Sequence, residues 1–133
     1  VVEVSVDTVT GEIRSEKVWA VHDAGRAVDE RIVRGQVEGG ILQGLGFASI
    51  EVMETKDGRY RQKNLTDYCI PTTLDAPVID SFLLDNPYRY GPAGAKGVGE
   101  VTLVGAAPAF ASAVENALGT EINRVPVRPE ERS

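Results

Sequence analysis

Residues 29 to 48 carry a helical apolar pattern and five glycines at once, and this combination limits the fold more than any other feature. Val33, Val37, Ile41 and Leu45 recur every four residues, the spacing of one helix face. Asp29 is suited to cap the start of that helix. Gly35, Gly39, Gly40, Gly44 and Gly46 fall in the same stretch, and each costs a helix interior about 1 kcal/mol relative to alanine. At about 100° per residue, Gly35, Gly39, Gly40 and Gly46 share an arc with Gln36 and Gln43. One face of the helix is therefore apolar, and another is bare except for two amides. A bare face admits another backbone, or a flat polar ligand, at close range. Tight helix packing and ligand binding account for it equally well.

The flanking patterns predict an α+β domain, with two main helices near 29–47 and 104–118 packed on mostly antiparallel strands. Val2, Val4 and Val6 alternate with Glu3 and Ser5, Asp7 to Gly11 has turn chemistry, and Ile13 to Val21 reads as a return strand. Val18 to Val21 is apolar on both faces and is expected to lie deep. A second hairpin is expected from Ile50–Met53 and Arg59–Lys63 around Lys56-Asp57-Gly58, then an irregular stretch from Asn64 to Pro71 and a strand over Val78 to Leu84. Pro108 suits a first helical turn; Phe110, Ala111, Val114, Ala117 and Leu118 form its stripe, and Gly119 ends it. The tail from Arg124 to Ser133 is polar and expected to be loosely held. All of 1–133 reads as a single domain, and the initial Val1 as a sign of a piece of a larger subunit.

Composition excludes several function classes. Twenty acidic and 14 basic residues leave a net charge of −6, which disfavours binding to nucleic acid or an anionic membrane. Unbroken apolar runs are only a few residues long, too short for a membrane span. A lone cysteine, Cys69, rules out an internal disulfide and a cysteine-based metal site; it is expected to be a buried small hydrophobe. A lone thiol without an export signal favours a reducing, cytoplasmic setting. His22 is the only histidine, so no multi-histidine metal site exists, and its expected role is structural. Gly94-Ala95-Lys96-Gly97 lacks the residue order of a phosphate loop, and Gly97-Val98-Gly99 lacks a third glycine at dinucleotide-fold spacing.

Two features remain. One is the Gly/Gln face, where an amide offers both a donor and an acceptor to a heteroatom-rich ligand. The other is Glu100, which follows a loop with four glycines and two prolines between Asn86 and Gly99. Glu100 is either a first-turn acid that stabilises a helix N-terminus or a carboxylate held out by a constrained loop as a general base.

The wording of both stretches resembles one family. Gly35-Gln36-Val37-Glu38-Gly39-Gly40-Ile41-Leu42-Gln43-Gly44-Leu45-Gly46 and Gly94-Ala95-Lys96-Gly97-Val98-Gly99-Glu100 look like paired motifs of the molybdopterin-binding large subunit of the xanthine dehydrogenase/aldehyde oxidase family. Val21 to Arg26 and Asn64 to Tyr68 are similar to it too. The resemblance spans nearly the whole chain and corresponds to the C-terminal part of that subunit.

The resemblance implies a molybdenum–molybdopterin cofactor, including the cytosine dinucleotide form found in bacterial relatives. It implies hydroxylation of a heteroaromatic or aldehyde substrate with oxygen from water, electrons leaving through iron–sulfur clusters and FAD on partner subunits or domains. By motif match Glu100 is the general base that acts on the Mo-bound hydroxyl. Gln36 is the pterin-contacting glutamine, with Gly35, Lys96, Gly97, Val98 and Gly99 beside the cofactor; no side chain of this chain ligates the metal. The rest of the large subunit completes the site, so the isolated chain is expected to be inactive and prone to self-association. Two departures are noted: Asp29-Glu30 stands where relatives carry Asn-Pro or Asp-Pro, and Val101-Thr102 where proline or small residues are frequent. The rival reading is a non-catalytic assembly module of the same fold; it would not require an acid after Lys96-Gly97-Val98-Gly99.

Overall fold

The computed structural model describes residues 1–128. Val2, Val4 and Val6 face inward along β1 (Val2–Val6), which pairs antiparallel with β2 (Ile13–Asp23), with a register shift between Glu3 and Val4. Asp7 closes their turn, its Oδ1 accepting from the amides of Val9 (2.7 Å) and Thr10 (3.0 Å). Asp29 caps α1 (Glu30–Ser49) as expected, its carboxylate accepting from the amides of Arg31 and Ile32. The Asp29-Glu30 departure thus keeps the capping residue and changes only the first helical position, where Glu30 stands in place of proline.

The apolar stripe of α1 buries Val37, Ile41 and Leu45 against Val2, Val18, Phe110 and Val114. Phe110 and Val114 belong to α3 (Ala106–Leu118), which Gly119 ends in the left-handed conformation at φ 66°. A short α2 (Val101–Val104) precedes α3, and the two are separated at Gly105. The second helical region thus begins earlier than expected and is broken. Over Val101–Leu118 it is long and apolar enough to cross a membrane by length and composition alone, yet Ala106, Phe110 and Val114 face the core like those of any buried helix. Its inward stripe runs through Ala113, while Ala117 is exposed.

The α+β class holds, with two of the three strand pairings antiparallel, but several details need correction. β5 (Val78–Leu84) forms where expected, but it lies parallel to β2, with Val21 opposite Phe82, so the three-stranded sheet β1-β2-β5 is mixed. The connection from β2 to β5 contains α1 and residues 50–77, the length a parallel crossover needs. Val18 is buried, but Trp19 and Val21 are 37% and 61% exposed, because the helices cover one sheet face only. Phe82 and Leu84 are exposed on the other face with them. Such a surface is unusual for parallel strands, which are ordinarily covered on both sides.

The second hairpin shrinks to β3 (Thr55–Lys56) and β4 (Arg59–Tyr60). Its Asp57-Gly58 turn has positive φ at both residues, as the favoured hairpin turn requires. Ile50 to Met53 stays out of it, since Ile50 caps α1 and the amides of Ile50 and Glu51 both return to the Gly46 carbonyl. Cys69 is exposed rather than buried. The tail is held at Val127, a buried residue whose amide donates to the Ala48 carbonyl at 2.7 Å; residues 129–133 lie outside the described residues.

Candidate functional site

The segment from Asn86 to Glu100 is a strap fastened to the end of β2. Asp23, the last residue of that strand, is the fastening. Its Oδ1 accepts from the Gly25 amide at 3.0 Å; its Oδ2 accepts from Asn86 Nδ2 at 2.8 Å and Lys96 Nζ at 2.6 Å. These bonds to Lys96, Asn86 and Gly25 lower the Asp23 pKa to about 2. Main-chain bonds complete the join: Arg26 N–H and Tyr88 N–H both donate to the Gly94 carbonyl (2.9 Å each), and Lys96 N–H donates to the Ala24 carbonyl (3.1 Å). A side chain at Gly25 would strike the Gly94 carbonyl at 2.4 Å, so close approach of strap and strand depends on that glycine.

Beyond Lys96 the strap changes character. Gly97 and Gly99 are exposed, and a Cβ at either would meet nothing within 4 Å. Glu100 follows at the N-cap position of α2, but its side chain makes no capping bond and is exposed. With only four residues in α2, the first-turn-acid account of Glu100 has little helix to act on.

The bare face of α1 divides in the same way. A Cβ at Gly40 would meet Thr102 Oγ1 at 2.0 Å, and one at Gly44 would meet Ala106 Cβ and the Leu103 carbonyl oxygen, both at 2.7 Å. These glycines exist so that α2 and the start of α3 can lie against α1. Gly46 serves the same end against Pro71 and Glu51. At Gly35 and Gly39 a Cβ would touch nothing within 4 Å, and Gln36 and Gln43 are exposed. Ile32 and Phe47 lie on the same arc and are exposed, so this face is not bare except for two amides as expected.

One residue joins the two motifs. The hydroxyl of buried Thr102 lies 3.3 Å from the Gln36 carbonyl oxygen and 3.2 Å from that of Gly99. The structure thus brings the main chain of Gln36, on α1, beside that of Gly99, the residue before Glu100. It does not bring Gly35 there, since Gly35 lines another cavity with Gly39, Ala76, Pro77 and Ile79. It sets Lys96 apart: the Lys96 ammonium sits on Asp23. Sequence reasoning passed over two residues of this arrangement, Asp23 and Thr102. An aspartate two positions before a glycine is an Asx-turn pattern and could have marked Asp23. Nothing in the sequence marks Thr102, whose partners lie on another helix.

The remaining titratable groups lie elsewhere. His22 has a lowered pKa through burial, and its Nε2 is cut off from solvent without a partner. Tyr68 donates its hydroxyl to the Glu51 carboxylate, which raises the tyrosine pKa. No group of three or more His, Cys, Asp or Glu side chains able to hold a metal ion occurs among the described residues.

Comparison with known proteins decides the family. The sequence model of the molybdopterin cofactor-binding domain family matches residues 1–77. The chain belongs to that family. It is 35% identical over 130 residues to a probable xanthine dehydrogenase subunit of Bacillus subtilis, a match that covers 98% of this chain and 17% of that protein. It is 36% identical over 129 residues to an aldehyde oxidoreductase molybdenum-binding subunit of Escherichia coli, covering 95% of this chain and 18% of the relative. Among solved structures, quinoline 2-oxidoreductase from Pseudomonas putida superposes with a TM-score of 0.88 at 38% identity over 97% of this chain and 17% of that one. The aldehyde oxidoreductase of Desulfovibrio desulfuricans superposes at 0.86 and 32% identity, over 97% of this chain and 14% of that one. The chain therefore spans less than a fifth of the length of these relatives.

The residues present fit such a cofactor. Gly97 and Gly99 leave open space where a Cβ would be, just before the exposed Glu100, and Gly35 does so beside the exposed Gln36. Such a cofactor would ask this chain for amides and close backbone rather than for a ligand cluster.

Proposed function

We propose that this chain forms one wall of the molybdopterin site of a molybdenum hydroxylase and supplies its general base, Glu100. The observation that supports the reading is the Thr102 hydroxyl between the Gln36 and Gly99 main-chain carbonyls, which joins the two motifs next to an exposed Glu100 that caps no helix. The Gln36 amide pairs with the donor and acceptor edge of the pterin, and the missing side chain at Gly35 lets the ring system come close. The main chain of Gly97, Val98 and Gly99 lines the approach to Glu100, with Lys96 fixing where that stretch begins. When bound, the molybdopterin supplies a metal that can take two electrons from an electron-poor carbon. The Glu100 carboxylate accepts the proton of the attacking hydroxyl oxygen, which is derived from water.

The substrate class, a heteroaromatic ring or an aldehyde, is that named for the quinoline and aldehyde relatives. The rest of the large subunit covers the exposed side of the sheet at Trp19, Val21, Phe82 and Leu84, and iron–sulfur and FAD subunits or domains take the electrons. Alone, the same apolar face leads the chain to self-associate. A purely structural module would have no use for Glu100, whose carboxylate neither caps α2 nor is buried.

Glu100→Gln in the complete enzyme keeps the shape and removes the proton acceptor. The expected result is full molybdenum content with turnover reduced about 10²–10⁴-fold. Turnover per molybdenum close to that of the wild type would end this assignment.

A further inference from the structure

We infer that Asp23 is a positioning residue for Glu100, acting through the strap rather than by contact. The inference rests on the reading of Glu100 as the base. Asn86 and Lys96 lie at the two ends of the turn-rich part of the strap, and both donate to one atom, Asp23 Oδ2. A single carboxylate oxygen thus ties the loop shut. The other oxygen holds the Gly25 amide, at the point where Arg26 and Lys96 exchange main-chain bonds with Gly94 and Ala24. Only Gly97, Val98 and Gly99 separate this fastening from Glu100, and the Gly99 carbonyl is held in turn by Thr102. Glu100 therefore follows directly on a short glycine-bearing span that is held at one end by Lys96 on Asp23 and at the other by the Gly99 carbonyl on Thr102. Freeing the Asp23 anchor lets the span swing, and the carboxylate with it.

The chemistry of Asp23 makes it hard to replace. Three donors converge on its two oxygens, so an acceptor-only group is required. Asparagine in either orientation presents its own N–H donors to at least one of them. Glutamate keeps the charge and both acceptors, one methylene further out.

The test uses the complete, molybdenum-loaded enzyme with Asp23→Asn, Asp23→Glu, Glu100→Gln and the double variant Asp23→Asn/Glu100→Gln. Two quantities are read: hydrogen exchange at the Arg26 and Lys96 amides against that of α1, and the rate of the reductive half-reaction per molybdenum. The expected result for Asp23→Asn is faster exchange at Arg26 and Lys96 with α1 unchanged, unchanged molybdenum content and a rate about 10- to 100-fold lower, the scale of a misplaced catalytic group. Asp23→Glu recovers part of that rate. Adding Asp23→Asn to Glu100→Gln brings no further loss, because the residue acts through the base alone. If Glu100→Gln is inactive but Asp23→Asn keeps the wild-type rate, or the two losses multiply, Asp23 is only a structural fastening and the inference is overturned. A fully active Glu100→Gln overturns the assignment of the base itself, and the positioning role with it.

Discussion

Gly40 and Gly44 sit on the same helix as Gly35 and Gly39, at the same four-residue spacing, and exist for the opposite reason. A side chain at Gly40 or Gly44 would run into Thr102, Leu103 or Ala106, whereas one at Gly35 or Gly39 would meet nothing. The strap repeats the division: Gly25 lies against it, whereas a side chain at Gly97 or Gly99 would meet nothing within 4 Å. A glycine that its own chain explains belongs to the fold. A glycine that costs helix stability and that nothing in the chain explains points to something outside the chain. In this protein Gly97 and Gly99 lie just before Glu100, Gly35 and Gly39 line a separate cavity with Ala76, Pro77 and Ile79, and Gly40 and Gly44 lie against Thr102, Leu103 and Ala106.

Gly44→Val is the strongest way to break this comparison on the closed side. Its Cβ would meet a main-chain oxygen, Leu103 O, at 2.7 Å as well as Ala106 Cβ, and backbone cannot rotate aside as a side chain can. The expected loss is about 3 kcal/mol, the upper part of the range for overpacking, measured by urea denaturation of this chain. A variant as stable as the wild type would show that α2 and α3 do not lie where the packing argument requires them.

Gly35→Ala probes the open side and should change stability in the other direction. With free space at the Cβ position, alanine removes the helix penalty and raises stability by up to about 1 kcal/mol. On the proposed placement of the pterin beside Gly35, the same change in the complete enzyme should lower molybdenum content. A gain in stability together with a loss of cofactor would separate the two kinds of glycine in a single substitution. Unchanged molybdenum content would leave the open glycines without a neighbour to explain them.

Much of this was legible from the chain alone, and what was missed has a common cause. The cap at Asp29, the stripe on α1, the first hairpin and the αL stop at Gly119 are local, set by residues within a few positions of one another. The parallel pairing of β5 with β2 is not local, and alternation within Val78–Leu84 is the same for either strand direction. Exposure of Trp19 and Val21 was misjudged because a doubly apolar strand signals coverage by something, without saying that the cover belongs to this chain. At the site, the glycines and Glu100 stood out as a pattern. The division of the glycines could not, since it depends on which helix passes across Gly40 and Gly44. Asp23 and Thr102 were overlooked because their work is done on partners distant in sequence.

His22 offers the smallest and most local test, at a place on the closed side that is not fully satisfied. Its ring lies beside a cavity of about 200 Å³ whose walls include Val2, Val18, Ile41, Thr102 and Ala106. None of these carries a charge that could hold a protonated imidazole, and Nε2 has no hydrogen-bond partner. Burial accordingly lowers the His22 pKa from its ordinary 6.5. The unfolded chain then takes up a proton near pH 6.5 while the folded chain resists it. Folding stability attributable to His22 is complete above pH 6.5 and declines as pH falls toward the lowered folded value. With one proton involved, the slope cannot exceed about 1.4 kcal/mol per pH unit. Asp23 contributes in a separate window, its stabilisation being complete above its ordinary value of 3.8 and lost as pH falls through about 2. Urea denaturation of the wild type and of His22→Phe between pH 7.5 and 5 should therefore show a slope in the first that is flatter in the second. Phenylalanine also removes the unpartnered nitrogen, so the variant should not be less stable at pH 5. Equal slopes would mean that the cavity holds water within reach of Nε2 and that this part of the closed side is wetter than its lining implies.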